Sequence, residues 1–284
     1  MNGGKRLRSL LAALAFKACT GGKETKEKYQ DALLGSVGIE LAHGASLVHD
    51  DIIDKDNVRR GKKAYHVKEG IGKAILTGHK MLVQGFEIAL EHGKEWADLY
   101  VTSWNEVVNG EIDEVEFNKN GNSLNSSTKS DIFRAYNKII DLKTAALFSS
   151  SCQAGALNAD MSGDVLKVFA DYGREIGLAY QLADDLVDLA NGEMIDSVII
   201  PILNRLGKIT INIGRFKRRE IKRKFNKNKD KIKEIYINEI EKHVKKAQEL
   251  SRSDLIPTSR YKELLNKAPS FIVNKMLSEI NVTI

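Results

Sequence analysis

Two aspartate sets of identical spacing constrain this chain more than any other feature. Asp50, Asp51 and Asp54 stand at i, i+1 and i+4 within HGASLVHDDIID, and Asp184, Asp185 and Asp188 repeat that spacing within YQLADDLVD, 134 residues later. At 100° per residue, each set falls within one arc of about 100° on a helix. Both sets lie in apolar text of helical period, so each helix must bury one face and carry three like charges on another. Such acids repel, and Arg59 and Arg60 lie too far along the chain to neutralise the first set alone. A divalent cation is the economical partner, and all-oxygen ligands point to Mg²⁺ rather than Zn²⁺.

The rest of the chain reads as helix. Of 284 residues only three are proline, at Pro201, Pro257 and Pro269, and no stretch alternates as a strand would. The periodicity predicts helices from near Lys5, over about Lys28–Asp56, Ile71–Leu90 and Trp96–Phe117, within Asp131–Ala159, and over Gly163–Asn191, with 118–129 as a surface loop. These belong to an all-α fold of one domain over residues 1–284, with no domain linker. No run of eighteen apolar residues and no secretory pattern occurs, so a cytoplasmic location is expected. Cys19 and Cys152 sit in apolar helical text and read as reduced core residues.

Net charge is +6 but unevenly spread. Residues 205–233 hold thirteen Lys or Arg against two acids, a local net of +11 that leaves −5 elsewhere. The segment reads as a solvated helical face, with contact to an anionic membrane surface as the second reading, and nucleic acid is not expected as a partner.

If the two acidic helices face each other in a bundle, six carboxylates meet at one cavity mouth. That is costly unless Mg²⁺ and an anionic ligand fill it. Mg²⁺ is commonly shared between carboxylates and phosphates, so a di- or triphosphate is the expected ligand. Lys5, Arg8, Arg59, Arg60 and Lys143 can balance its charge. His43 lies two turns before Asp50 on the same face, and Lys143 in apolar text would be expensive without an anion. Gly35, Gly38, Ala42, Gly44 and Ala45 make the first helix thin, either for close helix packing or for a long apolar ligand. A diphosphate head beside an apolar tunnel describes an isoprenoid diphosphate. A His-Asp metal phosphohydrolase would leave Asp51, Asp54 and the second set unexplained. The Asp-x-Asp-x-Asp-Gly spacing of a calcium loop is absent.

These blocks, GGKRLR, HGASLVHDDIIDKDNVRRG, Lys143-Thr144 and YQLADDLVD, resemble those of the trans-isoprenyl diphosphate (polyprenyl) synthases in the same order, and look most like the archaeal geranylgeranyl diphosphate synthases. The resemblance implies an isoprenoid synthase-type helical bundle around a central cavity, usually a homodimer. It implies that Lys5, Arg8, His43 and Arg60 hold isopentenyl diphosphate, while Arg59, Lys143, Thr144 and Gln181 hold the allylic diphosphate. Asp50, Asp54 and Asp184 would lead Mg²⁺ ligation, supported by Asp51 and Asp188, with three ions when both substrates are bound. Two related readings share the acidic motifs: a terpene cyclase-like or head-to-head condensing enzyme, and a non-catalytic isoprenoid-binding subunit.

The chain departs from the family pattern in places. The helical sequence that usually precedes the Gly-Gly-Lys block is missing, Ser9 replaces a proline, and Gly78-His79 replaces a Gly-Asp pair. Gly192-Glu193-Met194 stands where a Gly-Lys pair is often seen. Ala45 and Ser46, five and four residues before Asp50, are small, and a product longer than C15, with C20 expected, follows from that volume.

Overall fold

The computed structural model describes residues 6–120, 129–192, 202–203, 206 and 218–284. Its regular elements are α1 (Leu7–Thr20), α2 (Lys26–Ile53), β1 (Val58–Arg59), β2 (Lys62–Lys63), α3 (Tyr65–Glu69), α4 (Ile71–Glu91) and α5 (Lys94–Asn120). They continue as α6 (Lys129–Ile140), a π-helical turn (Asp141–Ala145), α7 (Ala146–Asn158) and α8 (Asp164–Asn191). The chain closes with α9 (Arg218–Lys227), α10 (Lys229–Ser251), α11 (Arg260–Leu277) and a short 3₁₀ turn (Ser278–Ile280). The all-α expectation holds, and α2, α4, α5 and α8 match the predicted spans to within a few residues.

Two local features depart from the sequence reading. The segment after Asp54 is a hairpin, in which β1 pairs antiparallel with β2 in the register Val58↔Lys63 and Arg59↔Lys62. Its two-residue loop takes positive φ at both positions, 54° at Arg60 and 72° at Gly61, the conformation that matches strand twist in a tight hairpin. The predicted helix within 131–159 is interrupted by the π-helical turn, which inserts an extra residue just where Lys143 and Thr144 stand.

The chain groups into two compact units, each built from three separated stretches. The first comprises Met1–Trp104, Leu147–Gly173 and Ser253–Leu265. Thr25 starts α2 by accepting a hydrogen bond from the Lys28 amide at 3.2 Å. Helices α2 and α4 approach closely at Gly38 and Gly85: a Cβ at Gly38 would stand 3.3 Å from the Gly85 carbonyl oxygen. Here the glycines serve close packing, whereas Ala42, a turn further on, borders a cavity. Ile39, Ala42, Ala89, Trp96, Tyr100 and Ala154 form the core beside it.

The second unit comprises Asn105–Ala146, Arg174–Arg252 and Asn266–Ile284. Ile232, Tyr236, Ile240 and Val244 recur every fourth residue on α10 and join Tyr136, Leu182, Leu186 and Val273 in the core. Lys222, Arg223, Lys227, Lys229, Lys231 and Lys233 are exposed while Phe225 and Ile232 are buried, so this part of the basic segment is a solvated face. Residues 207–217 lie outside the described residues. No helix among the described residues is long and apolar enough to cross a membrane. Cys19 and Cys152 are free and buried.

Candidate active site

The first acidic set closes α2. Asp51 is buried, Asp50 is half-buried and Asp54, the C-cap residue, is exposed. Helix geometry explains the difference, since positions i and i+4 differ by about 40° while i+1 is turned about 100° from the first. The turned carboxylate finds a cation in the hairpin: Arg59 Nε donates to Asp51 Oδ1 at 2.6 Å, and its Nη2 lies 3.3 Å from Asp56 Oδ2. Arg59 thus reaches one carboxylate of the first set, Asp51. The I′-type loop folds the chain back, a connection the sequence announces only by a single glycine after Arg60.

Two turns before Asp50 in the same unit, His43 Nε2 accepts from Arg8 Nη1 at 3.0 Å, which leaves the ring hydrogen on Nδ1. The Arg8 guanidinium also lies 4.6 Å from the centre of the Phe148 ring. Burial, then Arg8, Arg60 and Arg59, push the His43 pKa down to about 2, so the imidazole is neutral. Arg8, Arg60 and Arg59 are thus near enough for their charge to act on His43, although the resemblance sets Arg59 with the allylic group. Lys5 lies outside the described residues. Ala45 is fully buried and Ser46, also buried, donates its hydroxyl to the His43 carbonyl at 2.9 Å. A small apolar cavity of about 20 Å³ lies in this unit, bordered by Ile39, Ala42, Trp96, Tyr100, Trp104 and Leu147.

The second unit carries the other half of the expected residues. Here too the middle aspartate is buried: Asp185 accepts from the Tyr136 hydroxyl and from Gln181 Nε2, the latter at 2.9 Å. Asp184 and Asp188 are half-buried. Burial pushes the Asp185 carboxyl up to about 7, with its two hydrogen bonds opposing and Asp184 and Asp188 adding to the rise. Gln181 Oε1 in turn accepts the Thr144 hydroxyl at 2.7 Å. Lys143, Thr144, Gln181, Asp185, Tyr136 and Glu114 border a cleft of about 90 Å³.

The burial of Lys143 does not need a ligand's charge. Its Nζ lies 2.8 Å from Glu111 Oε2 and 2.6 Å from Glu114 Oε2, both on α5. This corrects the inference that a lysine in apolar text calls for an external anion; the carboxylates come from a helix about thirty residues earlier. The π-helical turn that carries Lys143 lies against Gly110, where a Cβ would stand 2.6 Å from the Lys143 backbone nitrogen. Arg174 holds the start of the turn, from Nη1 to Asp141 at 3.0 Å and from Nη2 to Glu106 at 2.9 Å. Burial raises the Asp141 pKa against the opposing Arg174 charge.

Glu111, Glu114, Gly110 and Tyr136 escaped the sequence reading. The i, i+3 pair Glu111 and Glu114 could have been found by asking what neutralises Lys143, but nothing in the sequence marks Tyr136. Glu193 and Met194 lie outside the described residues. The outward carboxylates, Asp50 with Asp54 and Asp184 with Asp188, offer only oxygen, the donor type that Mg²⁺ takes. Among the described residues no three His, Cys, Asp or Glu side chains form a ready ion cage. An ion shared with substrate phosphates through one or two carboxylates requires none.

Comparison with known proteins adds the relatives. The family model for polyprenyl synthetase matches residues 1–250. The geranylgeranyl diphosphate synthase of Methanosarcina mazei is 32% identical over 197 residues, 67% of this chain and 56% of its own length. The short chain isoprenyl diphosphate synthase of Methanothermobacter thermautotrophicus is 31% identical over 255 residues, 87% of this chain and 72% of its own. The chain thus spans a little over half the length of the first relative and more of the second. Among solved structures, the geranylgeranyl pyrophosphate synthetase of Pyrococcus horikoshii superposes with a TM-score of 0.74 at 27% identity, over 95% of this chain and 86% of that one.

Proposed function

The chain belongs to the polyprenyl synthetase family, and on that premise we propose that it joins isopentenyl diphosphate head to tail with an allylic diphosphate, giving a longer trans-polyprenyl diphosphate of C20. The observation that carries this reading is the shared build of the two acidic sets. In each, the middle aspartate is tied to the protein, by Arg59 or by Tyr136 and Gln181, and the i and i+4 carboxylates are the more exposed. We assign Asp50 with Asp54, and Asp184 with Asp188, to Mg²⁺, three ions in all when both substrates are bound, and leave Asp51 a supporting role. Bound Mg²⁺ would supply charge that makes diphosphate a better leaving group.

This chain's residues supply the rest. Arg8, His43 and Arg60, with Lys5, would hold isopentenyl diphosphate; neutral His43 can donate from Nδ1 to a phosphate oxygen. Arg59, Lys143 and Gln181 belong to the allylic side. As the allylic C–O bond breaks, diphosphate leaves with the electron pair and a delocalised carbocation forms. The double bond of isopentenyl diphosphate attacks it, a C–C bond forms, and the proton lost from the adjacent carbon passes to the departed diphosphate. Oxygen lone pairs on Thr144 and Gln181 favour the cation, and apolar walls exclude water that would quench it.

The Arg8–His43–Arg60 cluster favours condensation over cyclisation, because a cyclase has no second diphosphate to bind. A homodimer is the assembly we propose, through exposed apolar residues that recur every seventh position on α4, Leu76, Val83 and Leu90. Light scattering tests this: Val83→Glu should shift the chain toward monomer. For the activity, purified chain is given farnesyl and isopentenyl diphosphates with Mg²⁺, and products are sized. A C20 product that vanishes in Asp50→Ala is expected. A C15-only output would sink the length assignment, and turnover indifferent to Asp50 would sink the metal assignment.

A further inference from the structure

Within the second unit a continuous hydrogen-bond chain runs through side chains from three helices and the π-helical turn. The Tyr236 hydroxyl lies 3.4 Å from that of Tyr136, Tyr136 donates to Asp185 Oδ2, and Asp185 Oδ1 accepts from Gln181 Nε2 at 2.9 Å. Gln181 Oε1 then accepts from Thr144 Oγ1 at 2.7 Å. Each link fixes the polarity of the next. A carboxylate that accepts from Gln181 obliges the amide to turn its NH₂ group inward. The amide oxygen then faces Thr144 and takes the hydroxyl hydrogen. With that hydrogen committed, Thr144 Oγ1 offers only lone pairs to the cleft it borders. An oxygen in that state cannot donate to a phosphate, but it can stabilise positive charge.

Tyr136 is not one of the residues that the resemblance assigns to the site, yet it borders the same cleft and is buried. We propose that Tyr136 is a positioning residue: through Asp185 and Gln181 it sets the hydroxyl of Thr144 as an acceptor facing the allylic carbocation. A phenol suits this task because its hydrogen is available to a carboxylate at any physiological pH, and burial raises its pKa further.

The proposal rests on the prenyl-transfer reading, and the test separates the two. Steady-state kinetics are measured on the purified full chain and on Tyr136→Phe, which keeps the ring and removes the hydroxyl. The expected result is a fall in kcat of about tenfold, with KM for both diphosphates unchanged within about twofold. Tyr236→Phe, which leaves the Tyr136–Asp185 bond in place, is expected to keep kcat within about twofold of wild type. In a Thr144→Val background, Tyr136→Phe is expected to cost nothing more, because both act through one oxygen. A Tyr136→Phe chain with unaltered kcat, a loss carried by KM, or equal losses in both tyrosine variants would each overturn the proposal. So would full additivity with Thr144→Val. Wild-type chain without any turnover would overturn the prenyl-transfer reading and this assignment with it, whereas an active wild type with an indifferent Tyr136→Phe would overturn this assignment alone.

Discussion

Arg59 Nε and Asp51 Oδ1 stand 2.6 Å apart, although eight residues and a helix end separate them in the chain. The bond is possible because Arg60 and Gly61 both take positive φ and turn β2 back on β1. It occupies the most buried carboxylate of the first set. In the second set Asp185 is held by a phenol and an amide. In each set helix angle thus buries the middle acid and leaves the i and i+4 acids more exposed.

Removing the arginine should therefore act on stability as well as on the site. Arg59→Met leaves Asp51 buried without this partner, at a cost of about 1–3 kcal/mol. The cost is read as a lower midpoint in urea. Adding Asp51→Asn to that variant should recover part of the loss, because the unpaired charge goes. A midpoint equal to wild type in Arg59→Met would show that water serves Asp51 as well as the guanidinium does.

Gly110 gives a second expectation, on the allylic side. A Cβ there would stand 2.6 Å from the Lys143 amide nitrogen and 2.9 Å from Leu142 Cβ, and the first of these is backbone that cannot swing away. Gly110→Ala should cost about 1–3 kcal/mol as overpacking and should displace the turn carrying Lys143 and Thr144. Loss of kcat beyond the loss of stability is the readout. Gly72→Ala is the control, since nothing lies within 4 Å of its added Cβ and α4 should gain up to about 1 kcal/mol.

The helices and the acidic sets were legible because period and spacing are local properties. Asp50 with Asp54, and Asp184 with Asp188, can be placed on a helical face by counting residues. What was not legible is pairing across distance. Nothing local joins Glu114 to Lys143 or Tyr136 to Asp185, and their positions follow from how α5, α6 and α8 pack. The hairpin was missed for another reason: Arg-Gly is a weaker turn signal than Asn-Gly, because a non-glycine residue must take positive φ at some cost. The π-helical turn has no marker in the residue types at all.

His43 gives a pH dependence with a definite sign. Its folded-state pKa of about 2 lies below the ordinary value of 6.5, so below 6.5 the unfolded chain binds a proton that the native chain does not. Stability tied to His43 is therefore complete above pH 6.5 and falls by about 1.4 kcal/mol per pH unit as pH drops below it. His43→Gln removes that slope. The difference in urea midpoint between wild type and His43→Gln should become less favourable to wild type from pH 7 to pH 5. A constant difference would mean that His43 takes up its proton over the same pH range in the native chain as in the unfolded one. The pH profile of turnover should likewise show no ionisation from His43 between pH 5 and 9.

Product length can be set against the cavity in the first unit. Ala45 and Ser46 were the positions expected from spacing, but Ala45 is fully buried, and Ala42 and Ile39, further back along α2, border the open space together with Trp104. Ala45→Phe would have to displace packed neighbours, at about 1–3 kcal/mol, before it could shorten a product. Ala42 is also buried and the cavity it borders holds only about 20 Å³, so Ala42→Phe must displace neighbours at a similar cost, but its ring projects into that space and should shift the product from C20 toward C15. Trp104→Ala enlarges the same space and should lengthen the product beyond C20. The two variants must move in opposite directions if this cavity receives the growing chain. Sizing the products of both, alongside Ala45→Phe, decides it: identical C20 output from Ala42→Phe and Trp104→Ala would place the limit elsewhere, and shortening by Ala45→Phe alone would return it to the position nearest Asp50.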